Sequence, residues 1–272
     1  MKNQLAIEIS ENAVRFATIQ DGVVQSIENY SFKDKIDYRY KEQLDQIFLE
    51  KGYKEREYDD YSLSWYSMYS TLLPNNVFSE TKPEELFRLC YNTDIPSEHI
   101  DYNRIPELSV VNVYEIPQWV KSFFVRKFPR IVIQNEGSHL LHGIFAGSTF
   151  KLSSYLTLHE NSFSLVVTCV NDLQFYSLFE FQAIDDVVYH FIYTMQQKNY
   201  IGKEGTVTLC AGAGSTDEQV DELKEKLNLL ADLKTYKIEV NSHLILNYQT
   251  LDRKSTRLNS SHTTVSRMPS SA

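Results

Sequence analysis

Leu5-Ala-Ile-Glu-Ile-Ser-Glu-Asn-Ala-Val-Arg-Phe-Ala-Thr18 alternates apolar and polar residues on either side of a short polar turn. Leu5, Ile7 and Ile9 mark one strand, Glu11-Asn12 the turn, and Val14, Phe16 and Thr18 the answering strand. Asp21-Gly22 signals a second tight hairpin, so Val23 to Phe32 completes three antiparallel strands. Phe163 to Phe181 has the same opening: an apolar strand, a turn at Asn171-Asp172 and an apolar answer. Helix and strand signals follow both stretches in the same order. This predicts a duplicated α/β unit with a cleft between its halves, the first over residues 1–148 and the second over 149–251.

In the first half, Leu44, Ile47 and Phe48 fall at helical spacing and Gly52 supplies a stop. Tyr61 to Leu72 reads as one strand, closed by Pro74-Asn75-Asn76. Thr81 and Glu84 form a capping box ahead of Leu86, Phe87 and Cys90. A strand over Ser109 to Ile116, a helix opened by Pro117, a strand over Ile131 to Ile133 and a helix through Leu140 to Phe145 follow, with Gly147-Ser148-Thr149 as the crossing point.

The second half predicts strands at Tyr155 to Leu158, Phe163 to Val170 and Leu173 to Phe181. An amphipathic helix comes next, with Ile184, Val187, Phe191 and Met195 on one face. Thr206 to Cys210 is a buried strand, and Ser215 with Glu218 caps a helix striped by Val220, Leu223, Leu227 and Leu230. Tyr236 to Val240 is the last strand. The order βββαβαβ is that of a ribonuclease-H-like unit.

Residues 252–272 stand apart. Asp252-Arg-Lys-Ser-Thr-Arg-Leu-Asn-Ser-Ser-His262 and Ser266-Arg-Met-Pro-Ser-Ser-Ala272 translate a common sequencing adapter, so this tail reads as an artefact without a fold. It holds Arg253, Lys254, Arg257 and Arg267 against Asp252, so without it the formal charge of −9 becomes −12. No clustered basic surface balances that charge, which argues against a nucleic-acid partner. No apolar run reaches the length of a membrane span, and the amino-terminal strand is broken by Glu8, unlike a signal peptide. Cys90, Cys169 and Cys210 are widely spaced in apolar settings and read as reduced, buried thiols. A cytoplasmic location is expected.

Ile7-Glu-Ile-Ser-Glu-Asn-Ala-Val-Arg15 resembles the first phosphate loop of the actin, Hsp70 and sugar-kinase superfamily, whose pattern is apolar-Asp-apolar-Gly-Ser-x-x-Val-Lys. Val113-Tyr-Glu-Ile-Pro117 and Phe179-Glu-Phe-Gln-Ala-Ile-Asp-Asp-Val-Val-Tyr189 are similar to a bacterial domain-of-unknown-function family with an actin-like ATPase fold. The resemblance implies two ribonuclease-H-like halves over nearly all of residues 1–251. It also implies a magnesium-organising acid at Glu8, phosphate-facing residues at Ser10 and Arg15, and adenosine contacts from Gly212 and Gly214 in Cys210-Ala-Gly-Ala-Gly214.

The chain departs from the superfamily at decisive points. Glu8 replaces Asp and Ser10 replaces Gly, so a longer carboxylate and an added Cβ crowd the metal and phosphate. The second loop's Asp-x-Gly, expected on the strand Phe163 to Val170, is absent there, and Asp172 reads as a turn former. The turn at Gly212 and Gly214 also has a plain reading, a strand-to-helix turn needing glycine, and an alternating strand residue such as Arg15 also reads as solvent-facing.

His139, His142 and His159 lack ligand-spaced partners and read as structural or surface residues. Glu8 finds no second carboxylate on the strands expected beside it, which argues against a two-metal nuclease. Tyr61, Trp65, Tyr66 and Tyr69 form either a partner-binding edge or core packing.

We therefore expect an interaction or scaffold protein with a degenerate nucleotide cleft, a protein partner, and no catalytic residue, metal or cofactor. The alternative is a nucleotide-dependent ATPase or switch that takes ATP or ADP with magnesium at Glu8 and the Gly212/Gly214 turn.

Overall fold

The computed structural model describes residues 2–32, 37–53, 58–147 and 149–251. The adapter-like tail and Ser148 of the expected crossing point lie outside the described residues. β1 (Asn3–Ile9), β2 (Ala13–Gln20) and β3 (Val23–Ser31) form the expected antiparallel meander. α1 (Asp37–Lys51) leads to β4 (Asp60–Trp65), which lies parallel to β1. The chain then leaves the sheet to build a separate antiparallel one from β5 (Ser70–Pro74), β6 (Ile100–Ile105) and β7 (Val110–Glu115), in the order β5-β7-β6. α2 (Pro83–Cys90) packs Phe87 against Val111 and Val113 of that sheet. α3 (Gln118–Lys127) returns the chain to β8 (Val132–Asn135), parallel to β4, and α4 (Glu136–Phe145) follows.

The second half comprises β9 (Ser153–Leu158), β10 (Ser162–Cys169), β11 (Asp172–Glu180), α5 (Ile184–Gln197), β12 (Gly205–Ala211), α6 (Asp217–Leu229), β13 (Tyr236–Val240) and α7 (Leu244–Leu251). Its sheet order β11-β10-β9-β12-β13 repeats the first sheet's β3-β2-β1-β4-β8 position by position. β9 is therefore the counterpart of β1, and the stretch Phe163 to Phe181 repeats the second hairpin of the first half. One apolar hairpin looks like another in sequence; the parallel neighbour, β12 beside β9, marks which strand is central.

Three local expectations differ from the structure for identifiable reasons. The aromatic run Tyr61 to Leu72 divides into β4 and β5, which belong to different sheets. At the corner between them the Ser67 hydroxyl accepts from the Tyr69 amide at 3.1 Å and the Trp65 indole donates to the Glu115 carbonyl at 2.7 Å. α2 starts after Lys82 with no side-chain cap, because Pro83 needs no N–H acceptor in the first turn. The capping box of α6 is Thr216 with Gln219, one residue beyond Ser215, whose hydroxyl is instead committed to the Gly212 carbonyl at 2.9 Å. Of the three cysteines expected to be buried only Cys210 is; Cys169 ends β10 half-buried, and Cys90, the last residue of α2, is exposed because that helix buries Phe87 instead; all three are unpaired.

Each half has its own apolar core, around Phe16, Phe48, Trp65 and Phe124 in the first and around Leu165, Phe191, Leu209 and Leu223 in the second. α4 and α7 join them. Leu244 packs with Leu140, Leu141 and Ile144, while Leu246 reaches Ala6, Ala17 and Ile19 of the first sheet. Gln249 fastens the same contact: its side chain accepts from the Ser62 hydroxyl at 2.7 Å and its carbonyl from the Gln4 amide at 3.3 Å. The two helices approach closely because position 143 is glycine; a Cβ there would lie 1.9 Å from Tyr248 Cγ. Gly143→Ala is expected to destabilise the fold by about 1–3 kcal/mol through overpacking. A urea midpoint equal to wild type would show that Tyr248 does not pack at that crossing.

Candidate functional site

The β1–β2 turn, the β9–β10 turn and the end of β12 meet between the halves. Glu8 and Arg15 are cross-strand partners on β1 and β2, so their side chains project from the same face of the sheet into this region. Both are buried, at 1 % and 4 % exposure. Arg15 Nε donates to Glu8 Oε2 at 2.8 Å and Nη2 contacts the same oxygen. Nη2 also donates to the carbonyl of Ala211 at 2.6 Å, and Nη1 reaches the carbonyl of Ser242 at 3.4 Å. A first-half guanidinium thus holds two second-half carbonyls. Arg15 is not the solvent-facing residue that strand alternation allowed, because the face it shares with Glu8 is covered by the other half.

Burial pushes the Glu8 carboxyl up to about 7; the Arg15 guanidinium pulls the other way, and nearby Glu136 adds to the rise. Glu8 Oε1 has no hydrogen-bond partner among the described residues. Glu136, at the amino end of α4, is the second carboxylate that neighbouring strands did not offer. It arrives from a helix distant in sequence.

The two halves carry one turn design. Ser10 N donates to Ala13 O at 2.9 Å and Phe32 N to Asn12 O at 2.7 Å; correspondingly, His159 N donates to Ser162 O at 2.8 Å and Phe181 N to Asn161 O at 2.9 Å. Ile9-Ser-Glu-Asn and Leu158-His-Glu-Asn are therefore equivalent, and the shared Glu-Asn pair is the sequence signal that marks them. The second-loop positions fall at Thr157 and His159, on the preceding hairpin and not on the strand Phe163 to Val170. They supply neither Asp nor Gly.

His159 fills the space that its glycine counterpart would leave open. Its ring stacks on Tyr66 with centroids 3.5 Å apart at 17°, and it spans Glu136 Oε1 (Nε2, 3.0 Å) and the Ala213 carbonyl (Nδ1, 3.3 Å). Tyr66 also donates to the Ser162 hydroxyl at 2.8 Å, and Asn12 bonds the Glu160 carboxylate across the cleft. Every one of these contacts except that to Ala213 joins the first half to the second.

The glycine turn after β12 faces inward as well. A Cβ on Gly212 would lie 2.2 Å from His159 Cε1, and one on Gly214 would lie 3.2 Å from Ala13 Cβ. Gly214 has φ +89°, which disfavours any other residue. The structure thus brings Glu8, Arg15, Gly212 and Gly214 together, with Ser10 at the rim beside a cavity of 260 Å³ lined also by Tyr66, Met68, Tyr69 and His159. Among the described residues no group of three His, Cys, Asp or Glu side chains could hold a metal. His139, His142 and His159 are all buried, and the aromatic run divides its roles: Trp65 lies in the core while Tyr66 and Tyr69 line the cavity.

The model of the DUF3822 family, proteins of unknown function, matches residues 1–228. The chain belongs to the DUF3822 family. Among solved structures, this DUF3822 chain is similar to a Bacteroides thetaiotaomicron protein with actin-like ATPase fold and unknown function. The two are 17% identical, the match covers 92% of this chain and 96% of the other, and the TM-score is 0.72. It is also similar to a chain of the PilM–PilN type IV pilus biogenesis complex, 11% identical over 88% of each chain with a TM-score of 0.58. The fold is that of the actin-like ATPases. Among curated proteins, none matches the sequence.

Proposed function

We propose that this DUF3822 chain is a non-catalytic interaction protein whose inter-half cleft is held by its own side chains in place of a nucleotide. The observation that carries this reading is Arg15, which joins Glu8 to the Ala211 carbonyl at the turn where adenosine would rest. On this reading magnesium nucleotide does not fit. Oxygen Oε2 of the carboxylate that would organise the metal shell is held by a guanidinium, whose positive charge opposes a cation beside it, and the close approach that Gly212 permits is taken by the His159 ring. Fold alone would not decide this, since one fold hosts both catalysts and binding proteins. Three unpaired cysteines, one of them exposed, suit a reducing compartment such as the cytoplasm. No helix among the described residues is long and apolar enough to cross a membrane.

Thermal unfolding with and without millimolar ATP or ADP and magnesium tests the proposal. A ligand at a hundredfold excess over its Kd stabilises by about 2.7 kcal/mol. For a chain of this size that raises the midpoint by roughly 5–10 °C. We expect no magnesium-dependent rise; a clear one would assign the cleft to a nucleotide-dependent ATPase or switch and overturn the proposal.

A further inference from the structure

The cavity at the cleft mouth continues, through Met68, Tyr69 and Glu180, into a second cavity of 500 Å³ between β5 and β11. Both of its walls are sheet edges, since β5 ends the order β5-β7-β6 and β11 ends the order β11-β10-β9-β12-β13. Their backbones differ in availability. On β5, Glu115 N donates to Tyr69 O, so by alternation Ser70 points away from β7. The Tyr91 hydroxyl accepts from the Ser70 amide at 3.1 Å and donates to its carbonyl at 2.6 Å, taking the place of a neighbouring strand.

On β11, Phe181 N donates to Asn161 O, and the register then directs Phe179, Ser177 and Phe175 toward β10. Tyr176, Leu178 and Glu180 therefore turn their backbone N–H and C=O groups outward, along the wall of the groove, where the Leu178 carbonyl accepts only a long contact of 3.5 Å from the adjacent Ser177 hydroxyl. Residues 175–180 contain no Pro or Lys, and the one irregularity of the β10–β11 register falls before Phe175, so this stretch of the edge lacks the usual guards.

The mouth of the same groove is acidic. Glu11, Glu160 and Glu180 are exposed around it, and the chain carries a net −9. Anionic ligands, including nucleotides and nucleic acid, are repelled there, while an ammonium or guanidinium group is attracted and meets the half-buried Tyr69 ring beside the carboxylates.

We propose that the free edge of β11 takes an extended segment of a partner protein as an added strand, with a Lys or Arg of that segment seated at the acidic mouth. Backbone pairing would supply the hold, and charge the choice of partner. The proposal rests on the interaction-protein reading and names the class of partner.

A random dodecapeptide library displayed on phage, panned against the purified chain, tests it. Enriched peptides should carry Lys or Arg together with alternating apolar residues. A synthetic winner should lose affinity about tenfold toward Glu11→Lys/Glu180→Lys at low salt; both positions are exposed, and matching thermal midpoints would show that the variant folds. N-methylation of the peptide backbone should abolish binding at every second residue and be tolerated between, the signature of one-sided strand pairing. Failure to enrich any peptide over a blocked control would overturn the proposal, as would winners indifferent to both changes. Sedimentation as a dimer that excludes the peptides would overturn it in favour of a second copy covering the edge. A midpoint rise with magnesium ATP on the same sample would instead remove the interaction-protein reading, so the two failures are distinguishable.

Discussion

Arg15→Ala is expected to lower the free energy of unfolding by about 3–5 kcal/mol near pH 8, the cost of leaving one member of a buried ion pair without the other. Against a total of about 5–15 kcal/mol for a domain, that is a large share. Three losses combine. Glu8 keeps its burial but loses its cation, the Ala211 carbonyl loses a donor at 2.6 Å, and the two halves lose their shared residue. The pair itself does not have to be strongly stabilising for this to hold, because desolvation of two charges offsets most of their attraction. Glu8→Leu/Arg15→Met should therefore recover at least half of the loss. Urea denaturation of the wild type, the single and the double variant checks this; a double variant no more stable than Arg15→Ala would mean that the carbonyl contacts, and not the charge pair, dominate.

Between pH 4.5 and about 7 the wild type should lose on the order of 3 kcal/mol relative to Glu8→Gln. The direction follows from the raised carboxyl: its usual value is 4.5 and burial takes it to about 7 in the folded chain. In that window the folded protein keeps a proton that the unfolded chain releases, so stability is fully present below 4.5 and falls as pH rises through about 7. Glutamine cannot titrate and removes this component, while the opposite, acid-side contributions of Glu28, Asp186 and Glu218, whose carboxyls are held below their usual values, remain in both proteins. Subtracting the two stability curves isolates Glu8. Parallel curves would show that the Arg15 guanidinium keeps Glu8 ionised throughout.

Much of the architecture was legible in short-range patterns. Helical spacing from Ile184 to Met195 reports which face of that helix is buried, and the alternation from Leu5 to Thr18 reports which face of the hairpin packs into the apolar core of its own half, although the other face is buried too, against the second half. The resemblance around Glu8 led to the actin-like fold and to a cluster that does form, Glu8 with Arg15, Gly212 and Gly214. Strand β6 and helix α7 leave little trace in the sequence, since Ile100-Asp-Tyr-Asn-Arg-Ile105 alternates weakly and α7 buries itself by contacts with the other half rather than by a strong stripe of its own.

Short-range patterns reveal two α/β units of the same order, and residues at Glu8 and Ser10 that differ from the phosphate-loop pattern they resemble. Which side chains those residues meet emerges from the folded arrangement of the two halves. Arg15 meets Ala211 across 196 positions of chain, and His159 meets Glu136 from the opposite half. Neither contact leaves a periodic trace, because a side chain that pairs across a domain boundary answers to where two sheets come together and not to its neighbours along its own strand.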